Sequence, residues 1–109
     1  MKPICEINSY GDKFWRLNNK LHREDGPAVE YSYGDKYWYL NDLLHREDGP
    51  AYEGFGGTKY WYLNGKLHRE DGPACQYPNG NQYWYYKGNH IFCKDHQEFL
   101  RMMKLKIFL

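Results

Sequence analysis

Residues 61–74 read Trp-Tyr-Leu-Asn-Gly-Lys-Leu-His-Arg-Glu-Asp-Gly-Pro-Ala, and near-copies of this string start at Trp15 and Trp38. A fourth tryptophan, Trp84, keeps the 23-residue interval. His22, His45 and His68 each open an identical run His-Arg-Glu-Asp-Gly-Pro-Ala, over 22–28, 45–51 and 68–74. Gly11, Gly34, Gly57 and Gly80 hold the same register. Such a period marks an array in which each copy is one small supersecondary unit that buries its apolar surface against its neighbours.

Within a unit the chemistry is that of β-strands. Lys36–Leu40 reads Lys-Tyr-Trp-Tyr-Leu, an alternating run of strand formers. Asn64-Gly65 follows the equivalent run, and both residues tolerate the positive φ of a type I′ hairpin turn. Asn18-Asn19, Asn41-Asp42 and Lys87-Gly88 fall in the same place. A second strand over 50–53 enters a further turn at 54–57, with counterparts at 32–35 and 78–81. Turns this short make neighbours antiparallel. Proline in the His-Arg-Glu-Asp-Gly-Pro run cannot donate a ladder hydrogen bond, so the strand breaks or bulges there. Two long strands or three short ones per unit both fit. The expected fold is an all-β repeat: an elongated, twisted antiparallel meander of four 23-residue hairpin units, about 6–28, 29–51, 52–74 and 75–94, in one domain over 1–109.

Alternation sorts the rings by face. Trp15, Trp38 and Trp61 share a parity with Leu17, Leu40 and Leu63, whereas Tyr37, Tyr39, Tyr60, Tyr62, Tyr83 and Tyr85 take the other. Tyrosine tolerates water better than tryptophan does. The tryptophan face, with Trp15, Trp38, Trp61 and Trp84, is therefore the expected core, and the six tyrosines the expected partner-binding surface.

After Phe92 the pattern changes. Asp95 and Glu98 form a capping-box pair, and Phe99, Leu100, Met102, Met103 and Ile107 supply apolar stripes. Arg101, Lys104 and Lys106 suit the C-terminal end of a helix dipole. The reading is a helix over about 95–106 that lids the last hairpin, or alternatively a docking or dimerisation helix.

Fifteen basic and fourteen acidic residues leave a net charge of +1. That balance gives no electrostatic reason for a nucleic-acid or anionic-membrane partner. Twelve Tyr and four Trp in a chain that is 19% aromatic require a core built from rings. Cys5, Cys75 and Cys93 fit neither a metal nor a disulfide spacing. With no apolar run of membrane length and no secretory leader, the expected compartment is the cytoplasm.

The repeated polar run holds groups suited to chemistry: His22, Arg23, Glu24 and Asp25; His45, Arg46, Glu47 and Asp48; His68, Arg69, Glu70 and Asp71. Equivalent side chains in successive hairpins lie two strands apart, about 10 Å. Zinc needs each His nitrogen about 2.0 Å away, so the three imidazoles cannot share one ion. Catalysis concentrates one asymmetric constellation in one pocket, whereas these four residues are printed three times. No metal, cofactor or catalytic residue is expected. The run is absent from the fourth unit, which reads Ile-Phe-Cys-Lys at 91–94. It occurs only where another unit follows, as a junction device would. Arg would pair with carboxylates, Asp-Gly would turn the chain, and Pro would start the next strand.

The string Trp-x-x-Asn-Gly-x-x-His-Arg-x-Asp-Gly-Pro-Ala at 61–74 resembles the MORN-like hairpin repeats, in the variant found in phages, large DNA viruses and bacterial antitoxin-type proteins. The resemblance covers about residues 6–91. It implies an elongated β-meander engaged in protein contact, and a phage accessory protein that inhibits a host defence enzyme or toxin, acting in the host cytoplasm. The chain departs from the usual pattern in having Asp-Gly-Pro where MORN repeats carry a Gly-x-Gly pair. That departure, with the near-neutral charge, argues against the lipid binding of some MORN proteins.

The leading expectation is a non-catalytic protein-interaction module. Two alternatives stand beside it. Stacked rings with arginine could sequester a nucleotide, or the chain could be a scaffold that assembles with itself through the helix or a sheet edge.

Overall fold

The computed structural model describes residues 1–105. It is mostly antiparallel β-strand in a meander-like sheet, with one C-terminal helix. The main sheet passes through Ile4–Ile7, Lys13–Leu17, Val29–Glu30, Lys36–Tyr37, Tyr52–Glu53, Lys59–Tyr60, Cys75–Gln76, Gln82–Tyr86 and Asn89–Ile91, each strand antiparallel to the next. Overall extents of 48 × 31 × 17 Å describe an elongated slab.

The turn chemistry acts as the sequence implies. Both residues of the loops Asn18-Asn19, Asn41-Asp42, Asn64-Gly65 and Lys87-Gly88 have φ between 50° and 85°. This type I′ geometry matches the natural twist of paired strands, and even Lys87 adopts it.

Where the sequence left two or three strands open, four two-residue strands form in each of the stretches 29–51 and 52–74. Lys36–Tyr37 pairs within the main sheet, and the chain then continues through Trp38 into Tyr39–Leu40. That second half pairs instead with Leu43–Leu44. Trp38 is the pivot: its N–H donates to Ala51 O at 2.7 Å, and its carbonyl accepts from His45 N at 3.0 Å. Tyr62–Leu63 with Lys66–Leu67 repeats the arrangement around Trp61. Backbone bonds from Arg46 N to Tyr62 O and from Gly65 N to Leu44 O tie one hairpin to the next.

The structure corrects the expected core. Of the four tryptophans only Trp84 is buried, at 5% exposure; Trp15, Trp38 and Trp61 are half-buried. The reason is the thinness of the sheet, since no second layer covers most of either face. Full burial falls on Ala28, Ala51 and Ala74, with Val29 and Cys75 next to two of them.

Among the described residues a conventional core forms at the C-terminal end, where Phe99 packs against Trp84 and Ile91. The helix His96–Leu105 supplies it. Asp95 caps the helix by accepting from Glu98 N at 2.8 Å. The Glu98 carboxylate reaches back to Lys94 N at 2.9 Å, one residue earlier than a standard capping box would have it. The expected helix end at Lys106, and Ile107 with it, lie outside the described residues. At the other end, Ile4–Ile7 is an exposed edge strand that pairs Cys5 with Trp15. Among the described residues no helix is long and apolar enough to cross a membrane.

Candidate functional site

The polar runs form three nearly superimposable clamps. The Arg23 guanidinium lies 3.9 Å from the Trp15 ring, Arg46 lies 4.0 Å from Trp38, and Arg69 lies 3.8 Å from Trp61. Each Arg Nε donates to the Asp two residues on, at 3.0, 3.1 and 2.7 Å. Each also donates to the carbonyl of its Pro, at 3.1, 3.0 and 3.1 Å. The glycine of Asp-Gly-Pro completes the clamp. A Cβ on Gly26, Gly49 or Gly72 would meet the guanidinium carbon at 2.8, 2.9 or 2.7 Å. Arginine is thus sandwiched between an indole ring and a bare backbone. The sequence assigned this glycine to turning the chain, whereas its structural role is to leave room. The fit lowers the Asp71 carboxyl below the usual range, chiefly through its hydrogen bond from Arg69.

The histidines reach across the junctions. His22 Nδ1 accepts from Asn41 N at 3.0 Å, His45 Nδ1 from Asn64 N at 2.9 Å, and His68 Nδ1 from Lys87 N at 2.8 Å. A backbone N–H can only donate, so the ring proton belongs on Nε2. In His68 that nitrogen faces Glu70 at 3.2 Å. Each imidazole thereby pins the type I′ turn of the following unit, and the junction reading acquires specific atoms. Asp12 and Asp35 do the same for the opposite turns, accepting from Ser32 N at 2.7 Å and Phe55 N at 2.9 Å. The Ser32 bond is the main cause that holds Asp12 below the ordinary carboxylate range.

Where the run is absent the helix substitutes. Phe92 holds the arginine's place in the repeat register, but its ring lies against His90 on the other face and is 80% exposed. Trp84 instead donates from Nε1 to His96 Nδ1 at 3.1 Å and packs on Phe99.

The opposite face carries a continuous row of rings. Centroids run Phe14–Tyr31 6.0 Å, Tyr31–Tyr37 6.0, Tyr37–Tyr52 4.8, Tyr52–Tyr60 5.2, Tyr60–Tyr77 5.7, Tyr77–Tyr83 5.9, Tyr83–His90 6.0 and His90–Phe92 4.2. Of the six expected tyrosines, Tyr37, Tyr60 and Tyr83 lie in this row. Tyr39 stacks beside Tyr37 and Tyr85 beside His90. Tyr62 is half-buried, and burial is the first cause that raises its phenol. Most of the row is half-buried by its own members; Tyr33, Phe55, Tyr83 and Phe92 are the exposed rings along it.

Sequence reasoning missed Tyr31, Tyr52 and Tyr77, which link Phe14, Tyr37, Tyr60 and Tyr83 in turn. For Tyr52 the signal lay in the short strand after Pro-Ala, where alternation places it opposite Tyr37 and Tyr60. The junction arginines stack on the tryptophan side, away from the row of tyrosines. Among the described residues no group of three or more His, Cys, Asp or Glu is placed to hold a metal ion. In comparisons with known proteins the chain matches no family model, no curated protein and no solved structure.

Proposed function

We propose that the chain is a MORN-like array of four 23-residue units, a twisted antiparallel meander lidded by its helix, that works as a non-catalytic protein-interaction module. Its tyrosine face docks a protein partner and acts by covering that partner's surface, as an accessory inhibitor of an enzyme or toxin would in a host cytoplasm. The single observation that carries the reading is the unbroken file of rings from Phe14 to Phe92, partly open to solvent along its length. Tyrosine offers wide contact area, a polar tip and little rotamer entropy to lose, which suits recognition surfaces.

The test uses the exposed rings, whose replacement removes ring contacts only at the solvent side of the row. Tyr33→Ser, Phe55→Ser and Tyr83→Ser are made together, and a partner captured by the wild-type protein is titrated against both. Weakening by roughly tenfold or more, with unchanged thermal stability, supports the tyrosine face as the docking surface. Equal affinity for the triple variant sinks it.

A further inference from the structure

The tryptophan face holds two equivalent open clefts. One, of about 660 Å³, lies between the junctions at Arg23 and Arg46 and is lined by Trp38 and Leu40. The other, of about 560 Å³, lies between the junctions at Arg46 and Arg69 and is lined by Trp61 and Leu63. Each therefore combines an indole and a leucine with the polar groups of two successive runs.

Their charge is lopsided. In the first cleft, Arg23 and Arg46 face Glu24, Asp25, Glu47 and Asp48, leaving two negative charges in excess. Both arginines are already committed to an indole, an aspartate and a proline carbonyl. Asp25 and Asp48 each accept from an arginine yet are 88% exposed, and Glu47 is 85% exposed. Among the described residues, the charged partner of Glu47 is the His45 ring, at 3.6 Å. The second cleft, which shares the middle run with the first, sets Arg46 and Arg69 against Glu47, Asp48, Glu70 and Asp71. What such a cleft complements is a cation with a flat, apolar body, and guanidinium fits carboxylates in pairs.

Among extended backbones, the spacing then favours one to carry the cations. The clefts are one unit apart, which is two strand separations or about 9.6 Å. A polyproline II helix has three residues per turn and a rise of about 3.1 Å, so every third side chain returns to one side after about 9.3 Å. An extended β-strand returns after about 6.7 Å or about 13 Å and misses. Aromatic-lined grooves are general receptors for the polyproline II conformer, which enters with little conformational entropy left to lose.

We propose that the tryptophan face binds a proline-rich polypeptide in polyproline II conformation with arginine at every third position, one guanidinium entering each cleft. The site is distinct from the tyrosine face and does not depend on it.

The experiment titrates the intact protein with three capped octapeptides of equal composition, followed by calorimetry: Pro-Pro-Arg-Pro-Pro-Arg-Pro-Pro, and versions with the arginines two apart or adjacent. The three-apart peptide is expected to bind roughly tenfold or more tighter than either control. Glu24→Gln with Glu47→Gln, both exposed, should weaken it by roughly tenfold without moving thermal stability. Tyr83→Ser on the far face should leave it unchanged. Equal affinity for all three spacings, wild-type affinity in the double Gln variant, or no heat at about 1 mM peptide would each overturn the proposal.

Discussion

The Tyr52 hydroxyl occupies the space where a side chain on residue 54 would begin: a Cβ on Gly54 would meet it at 2.7 Å. Tyr31 and Tyr77 stand 23 residues before and after Gly54, whereas Val29 and Cys75 stand 23 before and after Tyr52. Each stretch therefore supplies one bridging ring from either of two positions, never both. In the middle stretch the small and large residues are exchanged, and the row stays continuous.

That exchange is testable. Tyr52→Val removes ring contacts with Tyr37 and Tyr60 and the hydrogen bond to Asp35, and should cost about 1–3 kcal/mol. Adding Gly54→Tyr to the same chain should return most of the loss, because the ring arrives from the neighbouring position as it does at Tyr31 and Tyr77. Urea unfolding of the single and double variants reads the coupling. A double variant no more stable than Tyr52→Val would refute the exchange.

His68 is the most buried of the junction imidazoles, at 9% exposure, and holds Lys87 N through Nδ1. His68→Phe keeps the ring and removes the acceptor. The orphaned N–H should cost about 1–3 kcal/mol. The same change at His22, which is more open to water, should cost less. Denaturant midpoints of the two variants decide it, and equal losses would contradict the burial argument.

Alkali should weaken the fold before it ionises the ring row. Burial, then the nearby Asp35 carboxylate, pushes the Tyr52 phenol up to about 12, and the Tyr60 hydrogen bond, then burial, does the same for Tyr77. The neutral phenol is thus the form the fold favours. Below pH 10, the ordinary phenol value, both folded and unfolded chains are protonated and the contribution is whole. Between there and about 12 the unfolded chain releases the proton first, so stability falls as pH rises. The urea midpoint should slide through this window, less steeply in Tyr52→Phe. A flat midpoint would count against it.

The three thiols should react in order of burial. Cys5 is exposed, Cys93 is intermediate, and Cys75 is buried, with burial pushing its thiol up to about 11. A coloured disulfide reagent at neutral pH should label Cys5 at once and Cys75 only as the sheet opens. Immediate labelling of all three in the native protein would disprove the placement of Cys75.

The strand-and-turn framework was legible in the sequence because it is written in local chemistry. Asn64-Gly65, the alternation over 36–40 and the Asp95/Glu98 pair each specify their geometry within a few residues. What the alternation could not convey is how much covers each face. Parity separated Trp38 from Tyr37 correctly, but burial depends on a second layer, which among the described residues Phe99 and its helix provide. The Arg46 sandwich was equally hidden, since the glycine's reason lies in a clearance of 2.9 Å rather than in its own dihedral angles. Tyr52 escaped because its equivalents, Val29 and Cys75, are not aromatic, so the repeat itself masked it.

The imidazole-to-turn bond also makes the array editable. Excising residues 52–74 would bring the acceptor on His45 to the donor on Lys87, the same pair of atoms that His68 and Lys87 now use at 2.8 Å. Duplicating that segment would add one more identical coupling. The reach of the molecule could therefore be lengthened or shortened in whole steps of about 10 Å, with both ends left untouched.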